Sequence, residues 1–186
     1  MRWGGGSGID TCMTQSSTPR SANLVGAFAL AVFDRMAGAI DECDGSFGSS
    51  AAALLLIHHG HVGRIDDLRE PLGLTQTGVV RLVDRIAHLE LAKRVSHAGG
   101  DLRLVGVELT PKGSQMVARI LAAREQAVAR LLGSLTPAEI DQLTGICEKS
   151  LAHVAGVAAA PGRLCRYCDE DACDLSRCPV ELASGG

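Results

Sequence analysis

Apolar positions along the chain recur mostly at helical spacing, and the segments they mark alternate with short polar, Gly-containing breaks. Leu24, Phe28, Ala31, Val32 and Met36 place one helix over about Arg20 to Asp44, with Gly45 where a helix end needs a stop. Ser49 or Ser50 is placed to cap a second helix through "AAALLLIHH", which ends at Gly60. "RIDDLREPLG" predicts a third, shorter helix whose last turn is limited by Pro71 and ended by Gly73. Thr75 then caps "QTGVVRLVDRIAHLEL", where Val79, Leu82, Val83 and Ile86 form an apolar stripe opposite Gln76, Thr77, Val80, Arg81, Asp84 and Arg85.

After Leu91 the period changes. "AKRVS" and "RLVGVEL" are short runs of strand character separated by "HAGGDL", whose two glycines signal a hairpin turn. Thr110 and Pro111 open a long helix with Val117, Ile120, Leu121, Val128, Leu131 and Leu132 on one stripe. Thr136 and Glu139 bracket Pro137 as a capping box for the last long helix, whose buried stripe is expected to be Ile140, Leu143, Cys147, Leu151 and Val154. Four helices, a hairpin and two helices outline a mainly α, winged helix-turn-helix fold.

Two stretches sharpen that outline. "LREPLGLTQTGVVRLVDRIAHLELAKRV" and "GGDLRLVGVELTPKG" resemble the core of the MarR family of transcriptional regulators. Asp101 and Arg103 match the family's wing Asp-x-Arg, and Leu109, Thr110 and Gly113 match its closing element. The resemblance extends by architecture over 20–157, with a DNA-binding core at about 49–113 and long terminal helices, about 20–44 and 111–157, forming a dimerisation region. It implies a homodimer whose two lobes grip a pseudo-palindromic operator, often a repressor released by a small molecule, an oxidant or a metal.

The chemistry of the stretch points the same way, because a recognition helix needs an apolar face to seat it and a polar face for base edges. The candidate DNA-binding residues are Thr75, Gln76, Thr77, Val80, Arg81, Arg85, Lys93, Arg94, Asp101 and Arg103. Arg81 or Arg85 suits bidentate contact to guanine, and Val80, where the family more often has Thr, suits a thymine methyl. Lys93 and Arg94 suit phosphates. The resemblance assigns Arg103 to the minor groove, with Asp101 orienting it. The wing tip "HAGGD" is less basic than is usual in the family, which leaves the operator sequence and affinity open.

Composition limits these readings. A net charge of −3 carries no global basic signature, so nucleic-acid binding has to come from a local face. Three Phe, one Tyr and one Trp leave few rings for stacking single-stranded bases. Residues 1–19, rich in Gly, Ser and Thr, read as a disordered tail in which Met13 is a plausible start. No signal peptide is evident, and the longest apolar run, Leu24 to Phe33, is about half the length needed to cross a bilayer. A cytoplasmic protein with no membrane partner is the expectation.

In that compartment clustered cysteines imply metal or redox chemistry rather than disulfides. Four of the seven, Cys165, Cys168, Cys173 and Cys178, lie within 163–180 at C-x2-C-x4-C-x4-C spacing. The spacing is that of a zinc knuckle, with Cys173 where such knuckles carry His, and it suits Zn as cofactor. An iron–sulfur cluster is the alternative, with Pro179 after the last ligand as in ferredoxin motifs. The acidic surroundings, Asp169, Glu170, Asp171 and Asp174, speak against nucleic-acid binding by this tail. The cluster is expected close to the dimer-forming helices, as a structural staple or a redox- or metal-responsive switch.

His58, His59 and His61 read as helix-end histidines favouring the local dipole, and Cys43 and Cys147 as small buried apolar residues. No enzyme motif is present: there is no HExxH, phosphate-binding loop, Gly-rich dinucleotide turn or nucleophile elbow. The function expected is a sequence-specific DNA-binding regulator and not an enzyme. The alternative is an iron–sulfur or thiol redox protein using the cluster for electron transfer.

Overall fold

The computed structural model describes residues 18–44, 48–96, 105–158, 162–173 and 175–184 of the 186-residue chain. Helix α1 spans Pro19–Asp44, α2 Ser49–His58, α3 Arg69–Leu72 and α4 Gln76–His88. A hairpin of β1 (Ala92–Ser96) and β2 (Val105–Leu109) follows, then α5 (Pro111–Leu132) and α6 (Pro137–Val157). The tail adds α7 (Gly162–Cys165), a 3-10 turn (Leu175–Arg177) and α8 (Pro179–Ser184).

The core lies where α2 meets α4, α5, β2 and the turn before α3. Ser50 to Leu56 are all buried, so α2 is enclosed on every side, as a helix apolar all round must be. Leu54, Leu55, Leu68, Val79, Val83, Ile86, Val117 and Ile120 complete a core with essentially no exposed area. Truncating any of these leucines or isoleucines to Ala would cost about 2–5 kcal/mol.

The helix expected over 64–73 divides. Ile65–Leu68 is a 3-10 turn and only Arg69–Leu72 is α-helical, with Pro71 removing a donor from an already short element. Gly73 closes it at φ 64, a left-handed conformation that favours glycine. Helix α2 is capped not by Ser49 or Ser50 but by Gly48, with no side-chain cap; both serines lie inside the helix and Ser50 is buried. The stop at Gly45 lies outside the described residues, as do the wing tip and residues 1–17.

The hairpin is antiparallel, with Ala92 opposite Leu109 and Ser96 opposite Val105. Its second strand is described from Val105; Arg103 and Leu104, the first two residues of the expected run, lie outside the described residues. Both proline-led helices are capped as expected. Thr110 accepts from Gly113 N–H at 3.0 Å. Thr136 and Glu139 close a reciprocal capping box.

Two helices keep much of their apolar surface uncovered. On α1, Leu24, Val25, Phe28, Leu30 and Phe33 are exposed, although its C-terminal end packs on α5 through buried Ile40. An 18-residue window of α1 is long and apolar enough to cross a membrane by length and composition, at mean hydropathy 1.4 and 6% buried. This exceeds what the run to Phe33 suggested, because Met36 to Ile40 extends it. The stripe expected to be buried on α6 is not: Ile140, Cys147, Leu151 and Val154 are exposed, since within one chain the main partner of α6 is the short α8. Cys147 is therefore exposed in the single chain, and Cys43 is half-buried rather than enclosed.

Candidate functional site

Helix α4 owes its orientation to its own pattern. Thr75 accepts from Gly78 N–H at 3.2 Å, which fixes the first turn, and Val79, Leu82, Val83 and Ile86 are buried against the lobe. The opposite face is thereby forced outward. Gln76, Thr77, Val80, Arg81 and Arg85 are all exposed, and Thr75 stands at the exposed N-terminus. Among the described residues neither Arg81 nor Arg85 has an ion-pair partner.

The wing strands contribute differently. Lys93 pairs with Glu108 across the hairpin at 3.2 Å, and Arg94 pairs with Asp84 of α4 at 2.7 Å. Exposed pairs of this kind hold about 0.2–1 kcal/mol each, so exchanging the carboxylate for a phosphate is cheap. The Arg94 pair also ties the wing to α4. Between them lies a groove of about 280 Å³ lined by Arg64, Gln76, Val80, Arg94 and Val105, among others. Arg64 was not among the sequence candidates; it lies before the helix-turn-helix and only the fold brings it to this groove. Asp101 and Arg103 lie outside the described residues.

Solved structures share the fold of this lobe. A MarR family protein from Bacillus stearothermophilus superposes with a TM-score of 0.60 at 20% identity, covering 72% of this chain and 95% of its own. Wild-type MarR from E. coli in its apo form gives 0.59 at 18% identity, covering 73% and 99%. The chain has the MarR-type winged helix-turn-helix fold. BpsR of Bordetella bronchiseptica, whose DNA binding is regulated by 6-hydroxynicotinic acid, gives 0.51 at 22% identity, covering 68% and 98%. No protein-family model and no curated protein matches the sequence.

The tail docks back on the MarR-type lobe. Tyr167 packs against the core and its hydroxyl donates to Gly48 O at 2.9 Å; burial pushes its phenol up, so it stays protonated as a donor. His61 Nε2 meets Glu170 Oε1 at 2.6 Å, and His58 Nε2 lies 3.8 Å from Asp171 Oδ2. The Arg163 guanidinium lies against Gly73, and Gly162 sits beside Pro71. The cysteine loop is thus held against the helix-turn-helix. Its approach to α6 is made by α8.

All four cysteines line one cavity of about 410 Å³, with Leu56, His61 and Pro71 from the lobe and Glu170 and Val180 from the tail. Cys168 N–H donates to Cys165 O at 2.7 Å, a tight turn that carries the first two thiols to the same side. As the side chains stand, no three Cys, His, Asp or Glu among the described residues converge as metal ligands. The hydrogen bond from Cys165 lowers Cys168 to about 7 against the opposing effect of burial, with Arg124 assisting. The same bond, then burial, pushes Cys165 up. Cys173 is raised by burial first and then by the neighbouring sulfurs.

Sequence reasoning missed Tyr167, Arg124 and the pairing of His61 with Glu170. His61 is a docking residue rather than a helix-dipole histidine. The signal available was complementarity, since "HHGH" and "DEDACD" are the chain's most contrasting short tracts. Arg124, on α5, has no such signature.

Proposed function

We propose that the protein is a sequence-specific, double-stranded-DNA-binding transcriptional regulator, acting as a homodimeric repressor in the cytoplasm. Its C-terminal cysteines make it metal- or redox-responsive. A small-molecule effector, in the way that 6-hydroxynicotinic acid regulates DNA binding by BpsR, is a further input.

The outward face of α4 carries this reading. Two arginines without carboxylate partners among the described residues stand beside Gln76, Thr77 and Val80 on a helix seated by four buried aliphatics. That is a donor-rich surface with an apolar spot for a methyl, the pattern that major-groove edges require. Lys93, Arg94 and Arg64 flank it as phosphate contacts, and Arg103 with Asp101 supplies the wing contact.

Homodimerisation is supported by the uncovered apolar surfaces. Leu24, Phe28 and Phe33 of α1 and Ile146, Leu151 and Val154 of α6 would remain in water without a second copy. A dimer covers α1 without a membrane and sets two recognition helices against successive major grooves, roughly 34 Å apart.

Selection from a random-sequence duplex library with the full-length protein tests the reading. The expected product is a pseudo-palindromic site whose affinity falls steeply with salt. Replacing Arg81 and Arg103 by Ala should lower that affinity by about tenfold to a hundredfold for each lost contact. No enriched site, or an unchanged affinity in the double variant, refutes it. The electron-transfer alternative predicts the first of those failures.

A further inference from the structure

We infer that Cys165, Cys168, Cys173 and Cys178 bind one zinc ion, and that the loaded loop clamps the tail onto the helix-turn-helix through Pro71, Gly73 and His61. This deepens the metal-responsive side of the function proposed above, but its readouts do not depend on DNA.

Four observations carry it. First, all four sulfur-bearing residues line a single cavity, although only Cys165 lies in a helix and the others in turns and loop. Thiols gathered on one side of a short irregular loop are placed to share a ligand. Second, the tight turn in which Cys168 N–H donates to Cys165 O at 2.7 Å brings the first two ligands together, as the knuckle of a one-ion site requires. A tetrahedral ZnS4 site with Zn–S of about 2.3 Å has sulfur edges of about 3.8 Å. A cubane cluster puts each sulfur on a different iron and holds them farther apart. Drawing Cys173 and Cys178 inward completes the set.

Third, a counter-charge is in place. Four thiolates around Zn²⁺ carry a net charge of about −2. The Arg124 guanidinium acts on both Cys168 and Cys173, and its Nε is buried with no hydrogen-bond partner among the described residues. Buried polar groups of this kind are normally satisfied, and a thiolate cage supplies the acceptor. Fourth, the loop is already anchored on the elements that position α4. Tyr167 bonds Gly48, Glu170 bonds His61, Arg163 covers Gly73, and Gly162 abuts Pro71.

Zinc therefore acts at a defined place. With four bonds to the ion, the segment from Cys165 to Cys178 becomes one rigid body against the turn between α3 and α4. Without it, the contacts among the described residues of that segment are isolated hydrogen bonds and the packing of one half-buried Tyr. A ligand that binds the folded loop adds its binding free energy to local stability, and the elements beneath it share that protection.

Full-length protein purified without oxygen is assayed for zinc, iron and acid-labile sulfide. One zinc per chain with neither iron nor sulfide is expected. Cobalt substituted for zinc should give the intense visible bands and sulfur-to-metal charge transfer of a tetrahedral thiolate site. Cys173→Ser and Cys178→Ser should each lose the metal while far-UV dichroism shows the helices intact. Iron with matching sulfide, absence of any metal, or zinc retained in both variants overturns the site.

The clamp is read by amide hydrogen exchange over residues 56–73. Zinc should slow exchange there by about tenfold or more, with residues 112–120 as an internal reference. Stoichiometric zinc without that protection overturns the clamp and leaves a metal site confined to the tail. Loss of DNA binding in the Arg81 and Arg103 variant leaves both measurements unchanged, so the two proposals fail separately.

Discussion

Gly113 stands in the first turn of α5, and a Cβ built there would lie 1.9 Å from the Leu91 carbonyl oxygen and 2.9 Å from its carbon. Ordinary contact begins near 3.4 Å, so Gly113→Ala must push the helix and wing backbones apart by about 1.5 Å. Neither is free to move. Leu91 is 2% exposed at the root of the wing, and its carbonyl accepts from Thr110 N–H at 3.1 Å. Overpacking costs about 1–3 kcal/mol and the strained hydrogen bond about 1 more. Alanine's better helix propensity returns about 1 kcal/mol. The net loss is about 1–3 kcal/mol, or roughly 2–12 °C in Tm for a chain of this size. Urea and thermal unfolding followed by far-UV dichroism measure it. Gly38→Ala is the control, a mid-helix glycine with nothing within 4 Å of the added methyl, and it should gain up to about 1 kcal/mol. If Gly113→Ala is as stable as the parent while the control behaves, the close approach of α5 to the wing is not what requires glycine there.

Glu90 is the one described non-glycine residue with positive φ, at 59°, just past the end of α4. Glu90→Gly should stabilise by about 0.5–1 kcal/mol in the same assays, the relieved left-handed strain outweighing an exposed Lys112 pair and glycine's greater unfolded freedom. Glu139 accepts from the backbone N–H and the hydroxyl of Thr136, each at 2.8 Å, and these hold its carboxyl below the usual 4.5. Its contribution is present above pH 4.5 and is lost as pH falls through the lower folded value, because the unfolded chain binds that proton first. Glu139→Gln should flatten the dependence of stability on pH in that window; an unchanged slope would remove the capping box as its source. Phe28→Glu combined with Leu151→Glu places charge on the uncovered faces of α1 and α6, which are 41% and 38% exposed at these residues. Light scattering after size exclusion should then report a monomer, and an undiminished dimer mass would exclude those faces as the interface.

Much of the lobe was legible because its signals are local. Thr75, Thr110 and the Thr136–Glu139 box cap helices through hydrogen bonds within three residues. The α4 stripe buries what its spacing says it should, because one amphipathic helix against one core leaves a single solution. The α6 stripe has equally good spacing and stays exposed in the single chain. Periodicity marks a face that must be covered but does not say by what.

The candidate site divides along the same line. The outward set on α4 follows from the inward set, so Gln76, Thr77, Arg81 and Arg85 could be named from sequence. Whether each cation is free could not: Lys93 and Arg94 read as open phosphate contacts, yet they face Glu108 and Asp84, one across a strand register and one from another element. The spacing of Cys165, Cys168, Cys173 and Cys178 put them within one short segment, and the fold sets all four at one cavity. Their position against α2 and α3, with Arg124 behind them, came from contacts spanning scores of residues, such as Tyr167 to Gly48 and Glu170 to His61. Local hydrogen bonding and amphipathic period are properties of a short window of chain, so the order of residues is enough to specify them. Docking depends on which distant surfaces complement each other once the core has formed, and no window of sequence contains both surfaces.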